Sequence, residues 1–213
     1  MGQGRYLVWV KKMNKVEIAN LSLAALGQEP VASFDEANDR ARKIKLFFEM
    51  SRKDTLRAFD WGFASAEEKG ALLFLGTENG HTKKYSAAWP YVYCFPQNCL
   101  KVKKMFLQDE EPCEFKQVYL PYLKQKGLAA KVKGLTVAYT ADIDDCSVFD
   151  DMFVSAFSLK LAAQLAVPLT GDKQTAQMFY SLAEREIAKA QTNSRQENKK
   201  VMARISPSVL SRG

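Results

Sequence analysis

The sequence predicts an α+β fold: a helical bundle of about four helices with an inserted antiparallel β region and an extended C-terminal arm. Three observations carry this expectation. Apolar residues recur in steps of three and four from Phe34 to Phe59, and helical stripes return after residue 147 and after residue 172. Between them, residues 72–141 are rich in Val, Tyr, Phe and Thr and are punctuated by Gly76, Asn79-Gly80, Pro90, Pro96, Pro112, Pro121, Gly127 and Gly134, as strands and turns are. Beyond Asn193 the stripe fades and basic residues dominate. The expected division is 1–71 and 142–193 for the bundle, 72–141 for the β region and 194–213 for the arm.

Taken in order, Arg5 to Val10 reads as a short strand or an extended apolar arm, followed by Lys11 and Lys12. A first helix begins near Asn14. Val16, Ile18, Ala19, Leu21, Leu23, Ala25 and Leu26 make it apolar on most sides, so it is expected to lie deep, with Gly27 as its left-handed cap and Pro30 as a stop. The second helix is the expected spine. Ser33 and Glu36 have the spacing of a capping box, and Phe34, Ala37, Ala41, Ile44, Phe48, Thr55, Leu56 and Phe59 form its stripe. About 26 residues would span nearly 40 Å. Each large side chain buried along it contributes roughly 1.5 to 3 kcal/mol, which calls for other helices to cover it.

Five strands are expected: Leu72 to Leu75, Tyr91 to Phe95, Leu100 to Leu107, Glu114 to Leu120 and Leu135 to Tyr139. Lys101, Lys103 and Lys104 roughly alternate with the apolar residues of the third, which gives it one wet face. A third helix then starts at a Ser147/Asp150 box and ends before Pro168. Phe149, Met152, Phe153, Ala156, Phe157, Leu159, Leu161, Ala163 and Leu165 leave it almost no polar face, so it is expected to be the most buried element. The fourth runs from about Asp172 to Thr192.

With 213 residues, 47% of them apolar, the chain can fill a sizeable core. No run reaches 18 apolar residues, so no membrane span is expected. The N-terminus lacks the apolar run and cleavage site of a secretory signal, which points to a soluble protein made in a cytoplasm. A charge of +7 calls for something acidic, nucleic acid or an acidic protein surface. Cys94, Cys99, Cys113 and Cys146 are spaced too irregularly for zinc, and His81 completes no Cys/His set, so reduced thiols are expected.

Candidate chemistry is sparse. Asp142, Asp144, Asp145, Asp150 and Asp151 resemble paired carboxylates that could hold a divalent ion, but they sit where a helix N-terminus favours acids, and the loop lacks the glycine and glutamate of a calcium hand. No nucleophile elbow, triad pattern or phosphate loop accompanies His81 or the glycines. The expectation is therefore a protein that is no enzyme, with no catalytic residues, metal or cofactor. Lysines at 101, 103, 104, 116, 124, 126, 131 and 133, interleaved with Phe106, Phe115, Tyr119 and Tyr122, form either a solvated sheet face or a platform for single-stranded nucleic acid. Trp61 and Phe63 read as a core anchor. Trp89-Pro90-Tyr91 reads as a subunit or tail contact, an aromatic cluster beside a proline in a loop.

Several motifs carry a family resemblance. Asn20-Leu21, Leu26-Gly27, Pro30-Val31, Ser33-Phe34-Asp35-Glu36, Ala41, Arg52, Leu56, Arg57 and Trp61-Gly62-Phe63-Ala64, then YVYCFPQNCLKV at 91–102 and FVSAFSLKLAAQLAVPLTGD at 153–172, resemble the tail tubular protein A family, the head-to-tail adaptors of short-tailed phages. The family commonly has an acidic residue where Asn98 stands, and Arg5 to Lys12 precede the matching part. The resemblance implies a structural virion protein in a dodecameric ring between the portal protein and the tail nozzle, whose neighbour is tail tubular protein B-like, with transient contact to passing DNA. It places the protein at the head–tail junction, and in the host cytoplasm during assembly. In such proteins a C-terminal arm embraces the portal. The basic tail suits an element that orders on a partner, with Arg195, Lys199, Lys200 and Arg204 as charged contacts and Val201 and Ile205 as apolar anchors. The alternative is a non-specific nucleic-acid-binding protein using the basic β face and tail.

Overall fold

The computed structural model describes the backbone of residues 13–78, 81–82, 84–108 and 110–209 and the side chains of 13–76, 84–108 and 110–196. The fold is α+β, with four helices and two antiparallel sheets plus a small hairpin. The chain divides into a helical unit, up to Phe59 and again from Asp144, and a β unit, Asp60–Ile143.

In the helical unit, α1 (Lys15–Ala25) starts at a true capping box. The Glu17 N–H donates to the Asn14 side chain and the Asn14 N–H to the Glu17 carboxylate, both at 2.9 Å. It ends in a Schellman turn: Gly27, at φ 66°, donates to the Ala24 carbonyl and Gln28 to that of Leu23. Asn20 then clamps the link that follows. Its Nδ2 donates to the Val31 carbonyl and its Oδ1 accepts the Val31 N–H, each at 2.9 Å.

The second helix, α2 (Asp39–Ala58), begins later than the Ser33/Glu36 box implies. Glu36 is engaged by the N–H groups of Ala32 and Ser33 in a local turn, and the cap is Asn38, whose side chain accepts the Ala41 N–H at 2.8 Å. Phe59 is already extended, so the helix is about 30 Å long.

The organising helix is α3 (Asp151–Thr170), not α2: it packs against α1, α2 and α4 (Lys173–Val209). Asp150, rather than Ser147, is its cap, taking the Phe153 N–H, while Cys146–Val148 form a separate short turn capped by Asp145. Nor does the helix end before Pro168. Proline's missing N–H falls in the last turn, where one lost bond is tolerable, and the chain leaves at Gly171. Phe153, Phe157, Leu161 and Leu165 are fully buried. Rings of Phe34, Phe48, Phe157, Phe153 and Phe149 follow one another at centroid spacings of 5.1, 5.0, 5.8 and 4.6 Å. By length and composition α3 could cross a membrane, the only helix among the described residues that could; in the fold it is a core helix.

Asp172 caps α4 by accepting from the N–H groups of Gln174 and Thr175 and from the Thr175 hydroxyl. The helix does not stop at Thr192. Its backbone is helical to Val209 where an extended arm was expected from 194 onward; Arg195, Gln196, Glu197, Lys199, Lys200, Met202, Ala203 and Arg204 are good helix formers that favour continuing the helix without an apolar stripe.

In the β unit, β1 (Ser65–Lys69), β9 (Thr136–Ala141), β5 (Cys99–Phe106) and β6 (Pro112–Cys113) form one antiparallel sheet in that order. A second has the order β4 (Tyr91–Cys94), β8 (Gln125–Ala130), β7 (Phe115–Leu120), and β2 (Thr77–Glu78) pairs β3 (His81–Thr82) as a hairpin. Tyr93, Leu128 and Ala130 pack with Val102, Met105, Val137 and Tyr139 of the first sheet. The other face of the three-stranded sheet buries Val92, Leu120 and Ala129 with Leu75, under Leu73, Tyr85 and Trp89. Tyr93 ties the first core to a turn: its hydroxyl donates to the Val132 carbonyl at 2.9 Å and accepts the Leu135 N–H at 3.4 Å.

The β unit opens at Asp60, ahead of the expected Leu72, and β1, β2, β3, β6 and β8 were not foreseen. Leu72 to Leu75 is not a strand. It makes one bridge, Leu72 to Tyr93, flanked by bonds from Leu73 to Val92 and from Cys94 to Ala71. Trp61 is buried, as an anchor should be, and Phe63 lies 6.4 Å from it between ring centroids. All four cysteines are free thiols.

The Asn20 clamp is open to test. Asn20→Ala strands the part-buried N–H and carbonyl of Val31, and should cost about 2 to 3 kcal/mol in urea unfolding, whereas Gln28→Ala, whose side chain makes no such bond and is only half-buried, should change little.

Candidate docking surfaces

The expected contact residues Trp89 and Tyr91 lie at the start of β4, where the antiparallel register places them against two lysine-bearing segments. Val92 stands opposite Ala129, and Ala129 opposite Lys116 on β7, so the Lys116 side chain emerges on the same sheet face as Val92. Its Nζ sits 5.5 Å from the Trp89 ring and 5.9 Å from that of Tyr85. Lys131, just past β8, lies 5.3 Å from the Trp89 ring, and Lys133 lies 5.2 Å from that of Tyr91. Lys131 also pairs with Glu114, whose carboxyl is held below its ordinary range by that hydrogen bond and charge. The sequence names these lysines but does not join them to Trp89. Lys84 and Tyr85, adjacent to the same ring system, went unnoticed; an aromatic next to a lysine close before Trp89 was the available signal.

The other lysines of the β region scatter. On β5, Lys101 and Lys104 are exposed, and Lys104 lies over Phe106. Lys103 is held by Ser65 at 2.9 Å and Asp60 at 3.5 Å. They do not form one continuous face with the Trp89 group.

The six arm residues fall on the end of α4. Arg195 is exposed there, past Ala190, the last position buried among the described residues. Lys199, Lys200, Val201, Arg204 and Ile205 are helical in backbone, which sets positions 200 and 204, and 201 and 205, one turn apart; their side chains lie outside the described residues.

The helical unit also exposes apolar surface that the sequence reading missed. Leu21, expected deep, is 45% exposed and lines a groove with Met13, Ala24 and Pro30; the sign was that α1 is apolar all round. Leu46 and Met50, one turn apart on α2, and Met178 and Tyr180 on α4 are likewise exposed.

Two of the five acidic side chains have structural roles. The Asp145 carboxylate caps the Cys146–Val148 turn and that of Asp150 caps α3, while Asp142 contributes its backbone N–H to the Asn98 carbonyl. Among the described residues no three His, Cys, Asp or Glu side chains form a ligand set. The His81 side chain lies outside the described residues.

Burial pushes the Cys146 thiol up from 9.0 to about 11, only partly offset by Lys15 and Arg52. The folded chain therefore holds this proton more tightly than the unfolded one. The resulting stability is whole below pH 9 and is lost as pH rises through 11. Urea titrations should show a fall of up to about 2 kcal/mol across that window, reduced in Cys146→Ala. Tyr93 and Tyr139, also raised by burial, keep a residual slope in the variant.

In comparisons with known proteins, no family model matches the chain and no curated protein is significantly similar to it.

Proposed function

We propose that the chain is a non-enzymatic head-to-tail adaptor of a short-tailed phage, similar to tail tubular protein A, acting as a ring subunit between the portal protein and a nozzle of the tail tubular protein B type. The observation that carries this reading is the residue pattern that resembles that family from Asn20 to Ala64 and from Phe153 to Asp172. In the fold these stretches are not scattered surface: they supply the Asn20–Val31 clamp, the Phe48 and Leu56 side of α2 and nearly all of α3.

Two features support it. A rotational ring needs two different complementary sides on each subunit, and the helical unit exposes apolar residues on separate helices, α1, α2 and α4. Beyond Ala190, the last position of α4 buried among the described residues, the helix carries the basic residues Arg195, Lys199, Lys200 and Arg204, which suits a segment that meets a partner. On this reading α4 beyond Asn193 docks on the portal, and Trp89 and Tyr91 face a neighbouring subunit or the tail. The lumen touches passing DNA only weakly, there is no cofactor, α3 is the bundle's core rather than a membrane span, and the protein resides at the head–tail junction of the virion after assembly in the host cytoplasm.

A second reading, a non-specific nucleic-acid-binding protein, is favoured by one observation, the seating of Lys116 and Lys131 on Trp89. It predicts affinity for free DNA that falls steeply with salt.

Light scattering after size exclusion, with the chain alone and mixed with the portal protein of the same genome, should give a complex with many copies of the chain per portal; a monomer that ignores the portal but shifts with DNA would favour the second reading. Ending the chain after Asn193 keeps every buried position of α4 among the described residues, so the truncated protein should retain its melting temperature within a few degrees and lose portal binding. Unfolding on truncation would overturn the arm assignment.

A further inference from the structure

Beside the Trp89 group, within the β unit, lies a cleft of about 260 Å³. Its floor is aliphatic: Leu72, Leu73, Leu75 and Val92. Pro90 and Tyr91 form a wall, and Lys84 and Lys133 stand at the rim. Leu72 is 46% exposed toward solvent, and no carboxylate lines the cleft among the described residues.

We infer that this cleft is a docking site for an acidic peptide segment of a partner protein, which seats one or two aliphatic side chains on the leucine floor and sets its carboxylates against Lys84 and Lys133. The volume is below that of an ordinary cofactor or drug-sized pocket and suits an anchoring side chain. Charge selects the flanks. Neither rim lysine has a carboxylate partner among the described residues, and the nearby Lys116 and Lys131 extend the positive surface, with Glu114 as the acid drawn to Lys131. Nucleic acid fits less well. Bases need an aromatic platform to stack on, whereas the floor of this cleft is aliphatic. The test needs only the single chain and a peptide, whereas the adaptor reading is tested by portal binding, so the failure of one and the failure of the other are separate results.

The test is fluorescence anisotropy with the full chain and a labelled, acetylated peptide of two central leucines flanked by aspartates and glutamates. Saturable binding is expected, weakened about tenfold by Lys84→Glu with Lys133→Glu and by Leu72→Ser. Far-UV circular dichroism checks that each variant is folded, and Lys84→Gln with Lys133→Gln serves if the reversal unfolds the chain. Three outcomes overturn the proposal: no binding, equal binding of a peptide whose leucines are replaced by serine, or preferential binding of an oligothymidylate that the same lysine variants abolish.

Discussion

A helix without a polar face has to be enclosed, and α3 imposes that requirement on the helical unit. Its side chains, each contributing roughly 1.5 to 3 kcal/mol on burial, can be covered only if α1, α2 and α4 each take one side. Dispersion and burial do not by themselves fix where the helices stop along one another. Each neighbour therefore contributes a directional tie. Ser22 of α1 donates its hydroxyl to the Ser158 carbonyl at 2.8 Å, Lys43 of α2 donates to the Pro168 carbonyl, and Lys160 of α3 approaches Glu184 of α4 at 3.5 Å. The Lys43 tie uses a carbonyl at the helix end that lacks an amide partner within the helix.

The β unit solves the corresponding problem with two faces. One side of the three-stranded sheet is closed by the four-stranded sheet, and the other by the irregular chain carrying Leu73, Leu75, Tyr85 and Trp89. An irregular cover leaves gaps that a regular sheet would not, and the cleft beside Tyr91 is one of them. The outer edge strand β1 is protected differently: Glu67, Glu68 and Lys69 make it a poor template for another strand.

The helical core was legible because periodicity is local. The apolar circumference of α3 and the positions of α1 and α4 follow from residues that touch through one or two turns. Boundaries were harder, since Ser33-x-x-Glu36 and Asn38 offer two caps for one helix and only packing chooses between them. The end of α4 is not legible in the stripe, which fades near Thr192 while helix-forming residues continue the backbone to Val209. Strand β8, sequence QKGLAA, has no β-branched residue; its conformation comes from β4 and β7 on either side, and Gly127 is accepted because a side chain there would strike Val92. The Trp89 surface was half legible for the same reason. The aromatics are neighbours in sequence, but Lys116 and Lys131 reach them only through pairing across β7 and β8.

The pairing of β1 with β9 has a consequence for how the chain assembles itself. Ser22 and Ser158, which must meet, are 136 residues apart, and most of that separation is the insertion. Since Ser65 lies opposite Thr140 in the ladder, a folded β unit returns the chain beside the point where it left. The loop that α2 and α3 must close then shrinks from the whole insertion to its short flanks, a saving of about 1.5 kcal/mol in chain entropy. Early formation of the sheet would thus turn a slow, long-range search into a short-range one, with α1 and α2 waiting, their apolar faces bare, until α3 arrives.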